Sequence, residues 1–64
     1  MLNEKRLTEI MKSKGVTNTE LAANVGVSLP CMTFYRQGKR NPSAVTLGRI
    51  ASYLGCKMDD IWII

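Results

Sequence analysis

The chain contains no histidine, two cysteines, one tryptophan, two tyrosines and one phenylalanine in 64 residues. The missing histidine and the two cysteines, Cys31 and Cys56, leave too few ligands for an ordinary Cys/His zinc site. Two cysteines are also too few for the disulfide framework of a small secreted scaffold. Both read as small hydrophobes or ordinary thiols, and the expected compartment is a reducing cytoplasm. No basic segment precedes an apolar run, and no run approaches the ~20 apolar residues of a membrane span. Catalysis has little to stand on: a Cys31 nucleophile lacks a base, there is no Gly-rich phosphate loop, and the one carboxylate pair is the adjacent Asp59-Asp60. The expectation is a non-enzyme with no cofactor and no small-molecule effector.

Acidic residues are missing from the whole middle of the chain. Glu4, Glu9 and Glu20 precede it and Asp59 and Asp60 follow it, whereas Arg36, Lys39, Arg40, Arg49 and Lys57 all fall within it. With a net charge of +4, a one-signed central stretch suits a polyanion, through attraction to phosphates and release of their counterions. The same pattern is equally a solvated basic face with no such role.

What is present is helical. At this length the chain is one domain, residues 1–64, at the lower edge of independent folding. The spacing predicts an all-α, compact five-helix bundle without strands. A first helix over about 3–13 places Leu7, Ile10, Met11 and the Lys14 stem at i, i+3, i+4, i+7 and stops at Gly15. A second starts at Thr17, where Thr17 and Glu20 form a capping box, carries Leu21, Ala22 and Val25 inward, and breaks at Gly26. Ser28 caps a third, Pro30 sits in its first turn, and Gly38 ends it. Met32 and Tyr35 face one way on it; Leu29, Pro30, Thr33 and Phe34 face the other. After the Asn41-Pro42 loop, Ser43 caps a fourth helix through about Leu54, with Val45, Leu47, Ile50, Ala51 and Leu54 apolar. A short fifth, about 58–62, offers Met58, Ile61 and Trp62 for packing, with Asp59 and Asp60 at its N-terminal end. The candidate core is Leu7, Ile10, Met11, Val16, Leu21, Val25, Met32, Tyr35, Leu47, Ile50, Leu54, Ile61 and Trp62.

Residues 17–38 resemble the helix-turn-helix of the lambda-repressor-like (Cro-type, or XRE) family of DNA-binding proteins. The family's E-L-A, G-[VI]-[ST] and G-[KR]-x-x-P elements stand here as Glu20-Leu21-Ala22, Gly26-Val27-Ser28 and Gly38-Lys39-Arg40-Asn41-Pro42. The resemblance continues through Ser43 and the Leu47, Ile50, Ala51 pattern and covers essentially the whole chain. It implies a helix-turn-helix at about residues 17–37, with the third helix in the major groove of a duplex. It further implies backbone contacts from Thr17 and Asn18 at the start of the second helix, from Ser28, and from Gln37, Lys39 and Arg40 in the loop. Asn18 stands where family members often carry a phosphate-contacting glutamine.

The base-reading positions map onto Leu29, Pro30, Thr33 and Phe34, where many relatives carry Gln, Arg, Ser or Asn. Leu29, Pro30 and Phe34 cannot hydrogen-bond through their side chains. Either they pack on thymine methyls with Thr33 as the polar reader, or the face docks on a protein, or Phe34 folds back on the domain. A second departure concerns Met11 and Arg36, which occupy positions where relatives often pair an arginine with a glutamate. Met11 is expected in the core, and Arg36 is expected to turn outward or snorkel, adding a phosphate-seeking charge beside Lys39 and Arg40. A surface arginine touching nothing is the plainer alternative. The resemblance implies a transcriptional regulator of bacterial, phage or mobile-element origin, acting as a repressor by operator occlusion on a palindromic double-stranded DNA site. It also implies a homodimer, for which the apolar tail Ile63-Ile64 suits a two-fold contact. The rival reading is a protein-docking module, such as an antitoxin or adaptor.

Overall fold

The caps set the helix starts in the order the sequence announces them. In a computed structural model describing residues 1–64, Asn3 Oδ1 accepts from the Arg6 N–H at 3.1 Å and Thr17 Oγ1 from the Glu20 N–H at 3.1 Å. Ser28 Oγ and Ser43 Oγ accept from Cys31 and Thr46 N–H groups, each at 3.2 Å. Each bond satisfies a first-turn donor that has no partner within its own helix. The resulting elements are α1 (Glu4–Lys14), α2 (Asn18–Val25), α3 (Leu29–Arg36), α4 (Ala44–Leu54) and α5 (Met58–Ile61). Asn3 is thus a cap outside α1, which runs one residue later than the expected 3–13.

The capping box at α2 is only half made. Thr17 bonds the Glu20 N–H, but the Glu20 carboxylate reaches across to accept from the Tyr53 hydroxyl on α4. That hydrogen bond holds the Tyr53 phenol above its ordinary pKa, with burial adding in the same sense. A second tie has the same sense, from Arg49 Nη1 to the Val25 carbonyl at 3.4 Å, so α4 grips both ends of α2.

One core fills the space between the helices. It comprises Leu2, Leu7, Ile10, Met11, Leu21, Ala22, Val25, Met32, Tyr35, Leu47, Ile50, Ala51, Leu54 and Ile61. Val16 and Trp62, expected inside, are only partly buried against it. Three further expectations fail. Val45 is 67% exposed because it stands two residues before Leu47, about 200° round the helix from that inward position. Met58 is 40% exposed at the start of α5, where Ile61 alone turns inward. The Lys14 side chain is exposed as well and closes no apolar stripe.

The chain ends meet, which local periodicity does not reveal. Leu2 and Trp62 form a single antiparallel β-bridge. Asn3 N–H donates to the Ile61 carbonyl at 2.8 Å, and Met1 and Ile63 exchange bonds at 2.7 Å in each direction. The Leu2 N–H goes to Asn41 Oδ1 at 3.0 Å, fastening the loop after α3 to the same seam. Leu2, 1% exposed, thereby plugs the floor of the core. Leu2→Ala is expected to destabilise the domain by about 2–5 kcal/mol, the range for emptying a buried leucine site. Urea unfolding followed by circular dichroism measures it, and a loss below 1 kcal/mol would mean the seam is dispensable.

Candidate functional site

α3 is eight residues long and presents two unlike edges. Met32 and Tyr35, 0% and 6% exposed, lie in the core. Leu29 and Phe34 stand out at 45% and 41% exposed, and Pro30 is exposed beside them. Phe34 does not fold back on the domain. Thr33 lies half-buried between these residues, and its hydroxyl donates to the Leu29 carbonyl at 3.0 Å. With its one proton used inside the helix, Thr33 keeps only lone pairs for an outside partner. The outward face is therefore apolar with a single acceptor. On the flank, the Cys31 thiol beside Tyr35 and then burial raise the phenol's pKa, and Arg40 acts in the opposite sense. The second cysteine, Cys56, is also a free thiol, raised mainly by burial and secondarily by Asp60.

Two helix N-termini and one loop frame this face. Thr17 is exposed, Asn18 is half-buried as the first residue of α2, and Ser28 is exposed at the start of α3. Past α3, Gln37, Lys39 and Arg40 are all exposed. The chain turns between them at Gly38, whose φ of +75° is left-handed. A Cβ there would lie 2.6 Å from Glu4 Oε1, so an α1 carboxylate packs against the basic loop. Nothing in the sequence order points to that approach, since Glu4 lies 34 positions away.

Arg36 is placed otherwise than expected. It does not turn outward beside Lys39 and Arg40. It stands one helical turn beyond Met32, so its side chain leaves α3 along the inward flank, toward α1 and α2. Nη1 donates to Asn18 Oδ1 at 2.5 Å and Nη2 to Thr8 Oγ1 at 2.8 Å, while Nε is buried without a partner. Thr8 is a participant that sequence reasoning missed, because no local signal joins α1 to α3. Met11, by contrast, fills the core at 2% exposed, as expected.

Elsewhere, an open cleft of 420 Å³ lies between the C-terminal part of α2 and α4, lined by residues that include Asn24, Arg49, Ser52 and Tyr53. None of the candidate site residues lines it. No three His, Cys, Asp or Glu side chains gather where they could hold a metal ion, and no helix is long and apolar enough to cross a membrane.

Comparison with known proteins shows the family and the fold. The family model of the Cro/C1-type HTH DNA-binding domain matches residues 6–64. Two uncharacterized HTH-type transcriptional regulators of Archaeoglobus fulgidus are 34% and 36% identical over 58 residues. Those matches cover 91% of this chain and 83% and 82% of the relatives. The fold is similar to the crystal structure of the restriction-modification controller protein C.AhdI from Aeromonas hydrophila. The TM-score is 0.81 at 26% identity, over 89% of this chain and 86% of that one.

Gly38→Ala tests how the loop is held. A left-handed alanine costs about 1–2 kcal/mol, and here its Cβ would also displace Glu4. A drop of that size in the urea midpoint stability is expected, and an unchanged midpoint would show that the loop relaxes freely.

Proposed function

We propose that this chain, which belongs to the Cro/C1-type helix-turn-helix family of DNA-binding transcriptional regulators, binds a palindromic duplex operator as a homodimer and represses transcription by occlusion. It acts in the cytoplasm by binding alone, without catalysis, cofactor or effector. In this reading α3 lies in the major groove, with Leu29, Pro30 and Phe34 packed on thymine methyls and Thr33 accepting from a base edge. Thr17, Asn18, Ser28, Gln37, Lys39 and Arg40 meet the sugar-phosphate backbone.

The observation that carries this reading is the pairing of an outward α3 edge with an exposed basic loop directly after it. The loop supplies sequence-independent affinity; the edge supplies choice. Dimerisation draws support from apolar side chains exposed on α4, on α5 and at the C-terminus: Val45, Met58, Ile63 and Ile64. Two copies joined there would present α3 twice, to half-sites roughly 34–36 Å apart. Repression would follow from sterics, since a dimer seated in the major groove of a promoter blocks other proteins from that stretch of duplex.

The apolar character of Leu29 and Phe34 also favours a second reading, in which α3 docks on a protein. Selection of bound duplexes from a random pool at near-physiological salt separates the two. Enrichment of a palindrome is the expected result; no enrichment would favour docking. Phe34→Ala should relax preference at one or two base pairs, each worth about 1–3 kcal/mol. An unchanged site preference in that variant would remove Phe34 from base reading. Lys39→Ala and Arg40→Ala should weaken binding alike on all sequences and lower the salt slope by about 0.9 each. A change in preferred bases would instead overturn the division between loop and helix.

A further inference from the structure

We propose that Arg36 is a positioning residue for DNA: it fixes the Asn18 side chain so that its amide N–H groups face a phosphate at the N-terminus of α2. The inference rests on the DNA-binding reading above. Its basis is the chemistry of the Arg36–Asn18 contact. A guanidinium carries donors only, so the Asn18 atom that meets Arg36 Nη1 at 2.5 Å is the amide oxygen. The planar amide then turns its two N–H donors to the opposite side, and neither has an acceptor in the protein. Without Arg36 the amide is free to flip, and half of its orientations present an oxygen to the phosphate.

Arg36 is itself held from both sides. Thr8 on α1 accepts from Nη2 at 2.8 Å while Asn18 accepts from Nη1, so the guanidinium plane is set by two helices other than its own. Both partners are neutral, and Nε is buried with no partner. The positive charge is therefore not cancelled by the groups that orient it. It lies behind the first residue of α2, where unpaired backbone N–H groups already favour an anion. One side chain thus orients a donor and adds field at the same place. A strut with no role in binding would need the same two hydrogen bonds, so the test has to separate stability from affinity.

Asn18→Asp makes that separation. It keeps the acceptor that Arg36 uses and turns the contact into an ion pair, with a negative charge placed favourably at a helix N-terminus. It also removes both donors. The melting temperature is expected to rise while affinity for a fluorescein-labelled duplex of mixed sequence falls about tenfold or more. A more stable Asn18→Asp that binds like the unmutated protein would overturn the proposal. Asn18→Ala should weaken binding about tenfold and Arg36→Met about twofold or more, with the double variant losing less than the product of the two, because both remove the same oriented contact. Additive losses, or unchanged binding by folded Arg36→Met, would overturn it. Arg36→Lys keeps the charge without the fork and is expected to stay weakened; full binding by that variant would assign the effect to charge alone and overturn positioning. It also serves if Arg36→Met does not fold. Lys39→Ala on the same duplex is the control. If Lys39→Ala binds less tightly and the Arg36 variants do not, this inference fails alone; if the unmutated protein does not bind the duplex, the DNA-binding reading fails with it.

Discussion

An eight-residue helix has no stability of its own in water, and α3 is such a helix. Its outer edge is useful only because Met32 and Tyr35 pin its inner edge in the core. That burial requires α2 and α1 to close against α3, and α4 to close against α2. Leu21 and Val25 on α2 and Leu47, Ile50 and Leu54 on α4 supply the opposing surface. With the inner edge held, Leu29, Pro30, Thr33 and Phe34 have no choice but to face out. A helix that must spend its few inward positions on packing leaves the rest of its surface for recognition.

Charge is organised by the same closure. The sequence puts every acid toward the ends of the chain, yet two of them lie against distant parts of the chain in the folded domain. Glu20 takes the Tyr53 hydroxyl, and Glu4 lies against Gly38 beside the basic loop. Arg36 travels in the opposite direction, leaving the basic cluster it adjoins in sequence for Asn18 and Thr8. The folded molecule therefore keeps Lys39 and Arg40 as its free cations after α3 and holds a third cation in reserve behind α2. A partly buried arginine with neutral partners is costly to hold, because hydrogen bonds to neutral groups replace only part of its hydration. The positioning role proposed for Arg36 would offset that cost through binding.

The helices and their boundaries were legible because each is decided within a few residues. Ser28, Ser43 and Thr17 cap the N–H three positions on, and a glycine follows α1, α2 and α4. The two edges of α3 were legible for the same reason, since helical spacing alone divides Met32 and Tyr35 from Leu29, Pro30, Thr33 and Phe34. Val45 misled because an apolar residue in an apolar helix invites inclusion, although its angular position faces solvent. The seam between Leu2 and Trp62 was hidden, as one bridge between chain ends leaves no alternating pattern to read.

By itself, then, the sequence determined the five helices, the turn between α2 and α3, and which α3 side chains point away from the core. These follow from capping, periodicity and left-handed glycine, all of them local. Only the tertiary structure decided where Arg36, Glu20 and Glu4 reach, and that Leu2 completes the core. Long polar side chains have several partners within reach of any given backbone position, and the choice among them belongs to whichever helix packs alongside.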